Sequence, residues 1–281
     1  MSQFNHMIVY SVINGRNYFF DCADKYLLDF TCPANLAGKK ILTVDSDSSM
    51  FVDIPKLSER QSLIVYDREI KLDTNNIQNI IETVCFYGYN ADFIRSIFLR
   101  TLKNKWQETL IRLIENEPGI EFDTIAFNNL YLPENIDSFP VLSIFYRLKN
   151  SYKISANEIV SPAARVFEKL FFWDVKNKKR QHPFYKEYPF VYCGKTKLIY
   201  PENYILKNAE LLETRIEKKN IFIDFSYSAQ IKNTTIQTEV NAAVKEYSGS
   251  AAEYNDFSDN IEFIKNSFDI KLIFNQIKPE K

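Results

Sequence analysis

The sequence predicts an α+β fold that is mostly antiparallel β. Three observations carry this. The stretches 61–72 (QSLIVYDREIKL) and 77–88 (IQNIIETVCFYG) are dense in β-branched and aromatic residues and flank a turn at 73–76. Turn signals recur at short intervals along the chain, as in antiparallel β proteins. Helical spacing of apolar residues is confined to two places, and no strand–helix alternation suggests a parallel nucleotide-binding sheet.

The chain opens with strand candidates at 7–13 (MIVYSVI) and 17–22 (NYFFDC). Asn14 and Gly15 between them are a strong hairpin signal. From 23 to 59 the chain reads as irregular, with short strands near 40–44 and 50–53. After the 61–88 hairpin, Asn90 is placed to cap a long helix. Its apolar stripe is Ile94, Ile97, Phe98, Leu102, Trp106, Leu110, Leu113 and Ile114, and Pro118 and Gly119 end it. Strands are expected at 121–127, 140–148, 190–200, 204–214, 220–231, 234–245 and 269–275. The segment 163–172 fits a helix or a strand equally, and 176–189 reads as loop. A shorter helix over 251–267 carries Tyr254, Phe257, Ile261 and Ile264 on one face.

Composition narrows the function classes. The 281 residues are 46% hydrophobic and 15% aromatic, enough to bury a sizeable core. A balance of 35 basic against 36 acidic residues argues against a general nucleic-acid binder. The basic run 176–180 (KNKKR) is expected to be a solvated loop. No stretch approaches the length of a membrane-spanning helix. The N-terminus lacks a charged region before its apolar stretch, so it does not read as a signal peptide. It runs directly into a strand, so the natural domain is expected to begin further upstream.

Cys22, Cys32, Cys85 and Cys193 show no paired metal or redox spacing, and only His6 and His182 could join them. No metal or cofactor is expected. With six glycines there is little material for a phosphate loop.

One segment points to chemistry. His6 opens one strand of the first hairpin and Asp21 ends its partner. Antiparallel pairing about the turn at 14–15 sets opposite each other positions that sum to about 29. His6 then faces a position near 23, with Asp21 its diagonal neighbour. An aspartate there can fix the tautomer of the ring and leave the other nitrogen for a nucleophile.

The run from Phe4-Asn5-His6 through Gly15, Tyr18 and Asp21 to Asp24 resembles the His/Asp half of bacterial transglutaminase-like proteins. These belong to the papain-like superfamily and use a Cys-His-Asp triad. The resemblance implies that His6 is the general base and Asp21 its orienting partner. Cys22 stands where the family usually has alanine. Residues 30–38, with Pro33, Leu36 and Gly38, are similar to the segment after the family's aspartate. Further on, Gly88-Tyr89, Lys105-Trp106, Pro183-Phe184 and Tyr188-Pro189 resemble the β-rich C-terminal domain of unknown function that follows this core in a large subgroup.

In that family the nucleophilic cysteine lies upstream of the histidine, at the start of a helix. Here five residues precede His6 and none is cysteine. Cys22 and Cys32 lack the helix-terminus setting that lowers a thiol pKa.

The expectation is therefore a partial transglutaminase-like core over 1–55, holding only the His/Asp strands. A β-sandwich-like domain over 56–281 follows, with one long and one short helix. Alone, the chain is expected not to catalyse, and its first hairpin to be poorly ordered or aggregation-prone. The intact parent would do thiol acyl chemistry on peptide amides, with the upstream cysteine segment as partner. The alternative is a non-enzymatic cell-envelope module that binds protein or glycan. An enzyme working through some other site ranks last. The envelope is suggested by the resemblance alone. His182 reads as a structural or solvent-facing residue, Trp106 and Trp173 as core or interface residues, and Asp24 as a cap or turn residue.

Overall fold

The computed structural model describes residues 6–21, 36–45, 48–113, 119–131, 139–150, 152–155, 157–162, 182–185, 189–212, 215–245, 248–267 and 271–277. The N-terminal part holds two hairpins, β1 (Val9–Ile13) with β2 (Arg16–Phe20), and β3 (Lys40–Val44) with β4 (Ser49–Asp53). Asn14 and Gly15 both take positive φ, 51° and 76°, the turn geometry that matches strand twist.

The long hairpin is β5 (Leu63–Leu72) and β6 (Ile77–Phe86), followed by α1 (Tyr89–Phe98) and α2 (Trp106–Leu113). Then come β7 (Ile120–Asn128), β8 (Val141–Lys149), β9 (Lys153–Ser155), β10 (Glu158–Pro162), β11 (Phe184–Tyr185) and β12 (Phe190–Ile199). The chain closes with β13 (Tyr204–Leu206), β14 (Ile216–Lys219), β15 (Ile223–Lys232), β16 (Thr235–Val244), β17 (Ser248–Gly249), α3 (Tyr254–Ser267) and β18 (Lys271–Gln276).

Eight strands form the main sheet in the order β14-β15-β16-β12-β5-β6-β8-β7, and four form a second, β13-β18-β10-β9. The fold is α+β and mostly antiparallel, as expected. One junction departs from that pattern: β12 lies parallel to β5, with Gly194 beside Tyr66.

Alternation decides the inner face of the main sheet. In β5 the buried positions are Ile64, Tyr66, Arg68, Ile70 and Leu72, and in β6 they are Gln78, Ile80, Glu82, Val84 and Phe86. Ile159, Leu206, Leu272 and Phe274 of the second sheet, with α1, α2 and α3, share the same core. Tyr200 meets Phe274 at 4.7 Å, and the Gln78 amide donates to Ser161 Oγ at 3.0 Å, tying the two sheets. The long helix expected from Asn90 is instead two helices. Asn90 is not the cap but a buried residue, donating to Ser62 Oγ at 3.2 Å. The break falls before Trp106, whose indole N–H donates to the Thr101 carbonyl at 3.2 Å. Its ring meets Phe98 and Phe127 edge-on. Leu102, counted in the stripe, is 68% exposed. The strand expected over 204–214 is three residues long, and β9 and β10 were not anticipated. The segment 163–172 lies outside the described residues.

A second, smaller apolar cluster belongs to the N-terminal hairpins. It comprises Phe19, Ala37, Val52, Ile54 and Leu57, with Ile8, Tyr10, Leu36, Ile41 and Tyr89 packed around it. Within the first hairpin β1 and β2 pair along five rungs, and Phe19 is buried in this cluster.

Candidate functional site

The β1–β2 register runs from Val9 opposite Phe20 to Ile13 opposite Arg16, each pair summing to 29. His6 lies three residues before β1 and Asp21 directly after β2, so the strand ends bring them together. His6 Nε2–H donates to Asp21 Oδ2 at 2.9 Å. The aspartate side chain is only 6% exposed, the imidazole 35%. By parity His6, Ile8 and Tyr10 share a face with Asp21 and Phe19. The pair therefore sits on the face that packs into the small cluster, where Tyr10 and Phe19 stack at 5.4 Å.

This geometry has a definite chemical capacity. A carboxylate on Nε2 orients the ring and leaves Nδ1 to accept a proton from a nucleophile. Among the described residues Nδ1 meets no hydrogen-bond partner.

The other candidates fall out differently. Cys22, Cys32, Asp24, Trp173 and the run 176–180 lie outside the described residues. Cys85, next to last in β6, and Cys193, within β12, are half-buried thiols flanking Val65 of β5. Burial pushes both thiols up, and Glu239 adds to the shift at Cys193. Neither has the thiolate character of a nucleophile. His182 is exposed ahead of β11. Trp106 is a core residue, as expected. Among the described residues no group of three or more His, Cys, Asp or Glu could hold a metal. Among them, too, no helix is long and apolar enough to cross a membrane.

Sequence reasoning missed a groove of about 800 Å³ on the outer face of the main sheet. Its lining includes Asp67, Lys195, Arg215, Glu239, Asn241 and Ser226. In register, Asp67, Lys195, Glu239 and Ser228 make one row across β5, β12, β16 and β15. Only the order of strands in the sheet reveals that row, so the sequence held no direct signal for it.

The fold and the His6–Asp21 pair define an α+β, mostly antiparallel β protein that carries a histidine–carboxylate hairpin. A family model described as a domain of unknown function with a solved structure (DUF3858) matches residues 159–274. No curated protein matches. Among solved structures, the chain is similar to a crystal structure named as a "putative protease" from Parabacteroides distasonis ATCC 8503, at 12% identity and a TM-score of 0.45. That alignment covers 95% of this chain but 35% of the other, so the chain spans about a third of its length.

Proposed function

We propose that residues 1–55 contribute the His/Asp half of a thiol acyl-transfer site and that 56–281 form a separate β-rich domain. His6 is the general base and Asp21 its orienting partner. The nucleophilic cysteine comes from another segment of the full-length protein, upstream of His6. The intact protein acts on peptide amides, by cleavage, deamidation or cross-linking, and the chain alone does not catalyse. The observation that carries this is the 2.9 Å bond from Nε2 to a nearly buried carboxylate, which leaves Nδ1 for the thiol. The raised thiols of Cys85 and Cys193 support a nucleophile supplied from elsewhere.

The hairpin's second face agrees with a missing partner layer. Met7, Val9 and Ile13 on β1's side are 92%, 54% and 45% exposed. Strands apolar on both faces belong inside a sandwich.

The test is iodoacetamide labelling across pH together with an amidase assay, with and without the upstream segment. Activity that needs the upstream segment and is abolished by His6→Ala supports the reading. A fast-reacting thiol in this chain alone, lost in His6→Ala, would show that Cys22 or Cys32 is the nucleophile instead.

A second reading, a non-enzymatic envelope module for peptide or glycan, is favoured by the groove beside Lys195 and Arg215. Amide shifts confined to β12, β15 and β16 on titrating peptides or oligosaccharides would support it. Their absence would remove its only support.

A further inference from the structure

We infer that Tyr89, at the start of α1, is a positioning residue for the His6–Asp21 pair, holding the hairpin that carries it. This rests on the reading of that pair given above, but its structural argument stands separately. Among the described residues, β1 and β2 form a two-stranded sheet of their own, not hydrogen-bonded to the main sheet. A lone hairpin is marginally stable in water. Something must therefore order this one, and among the described residues the small apolar cluster packs against it.

Within that cluster Phe19 is 1% exposed, and Ile8 and Tyr10 pack beside it. Ile54 and Leu57 are buried in the same cluster, and Tyr89 packs against it. Two backbone bonds close the base of the β3–β4 hairpin beside it: Gly38 N–H donates to the Pro55 carbonyl at 3.2 Å, and Ile54 N–H to the Lys39 carbonyl at 2.8 Å. Tyr89 itself cannot drift. It follows Gly88, whose φ is +51°, and a Cβ there would strike the Gln61 carbonyl oxygen. Gln61 in turn accepts from Ser58 N–H at 2.8 Å through its side chain. Tyr87 N–H donates to the Leu63 carbonyl at 2.9 Å, so the step into α1 is welded to the start of β5. Tyr89 thus packs against the hairpin's cluster from a backbone position tied to the start of β5. A catalytic pair holds useful geometry only when its support is locked in this way.

The experiment is hydrogen exchange of the full chain, read over residues 9–20, together with the proton spectrum of the His6 ring. Tyr89→Ala is expected to speed exchange over 9–20 by about tenfold while β5, β6 and β12 keep their protection. The same variant should erase the downfield Nε2–H resonance of His6, and Tyr89→Phe, which keeps the ring, should retain both. Unchanged exchange over 9–20 in Tyr89→Ala overturns the inference. Asp21→Ala separates the two ideas. If exchange rises in Tyr89→Ala yet no ring resonance depends on Asp21, the seat is real and the His/Asp reading falls.

Discussion

Arg68 and Glu82 face each other across β5 and β6 in an ion pair 2.6 Å long, with neither side chain more than 1% exposed. The Tyr146 hydroxyl donates to the second carboxylate oxygen at 3.1 Å, and the guanidinium lies 5.0 Å from the Tyr66 ring centroid. Removing one partner leaves a buried charge without its counter-charge. Glu82→Gln is expected to cost about 3–5 kcal/mol, whereas replacing both residues by apolar ones of similar volume should cost far less. Urea unfolding of the single and double variants measures this. A Glu82→Gln loss below about 1 kcal/mol would mean the site relaxes to water.

Gly194 makes the parallel β5–β12 contact possible. A Cβ there would meet the Tyr66 carbonyl oxygen, and the Tyr66 ring at 2.6 Å. Tyr66 also stacks on Tyr192, with centroids 4.6 Å apart. Gly194→Val should therefore destabilise by at least the ~1–3 kcal/mol typical of overpacking, because backbone as well as side chain must move. Circular dichroism melts would register it, and a wild-type melting temperature would refute the close approach.

Stability should decline on the alkaline side. Burial raises the Cys85, Cys193 and Tyr200 groups, and Tyr152 is pushed well up by burial and the facing Asp73. The unfolded chain then loses protons, near pH ~8.5 for thiols and ~10 for phenols, that the folded chain keeps. Each raised group therefore contributes stability below its unfolded pKa, and the contribution fades as pH rises through the folded value. Denaturant midpoints measured from pH 7 to 10.5 should fall steadily. In a Cys85→Ala, Cys193→Ala protein the decline from pH 8.5 to 10 should be shallower, and an identical slope would exclude the thiols as its source.

The same two thiols should alkylate slowly in the native protein at neutral pH and quickly after unfolding. Peptide mapping after brief iodoacetamide exposure tests this. Rapid native labelling at Cys193 would contradict its half-buried, raised-pKa setting on β12.

Much of the site was legible in the chain because a hairpin register follows from its turn. Asn14-Gly15 sets pairs that sum to 29, and that arithmetic alone placed Asp21 diagonal to His6. The β-branched and aromatic density of 61–72 and 77–88 also gave the long hairpin, but that Arg68 and Glu82 face inward emerged only in the folded sheet. The break between α1 and α2 was not legible. Trp106 keeps helical spacing whether or not the chain bends before it, and only its indole bond to Thr101 and its aromatic neighbours decide.

By itself, then, the sequence determined what local rules govern: the hairpins, the two-residue period of the long strands and the apolar face of α3. Tertiary structure alone decided which strands are neighbours. Period two says which face a residue takes but not which strand lies beside it, so the β5–β12 parallel junction and the charged groove across β12, β16 and β15 arise only in the assembled sheet. The seat of Tyr89 under the first hairpin is of the same kind. Tyr89 and residues 8, 10 and 19 of the hairpin share one apolar cluster, a grouping that no local pattern encodes.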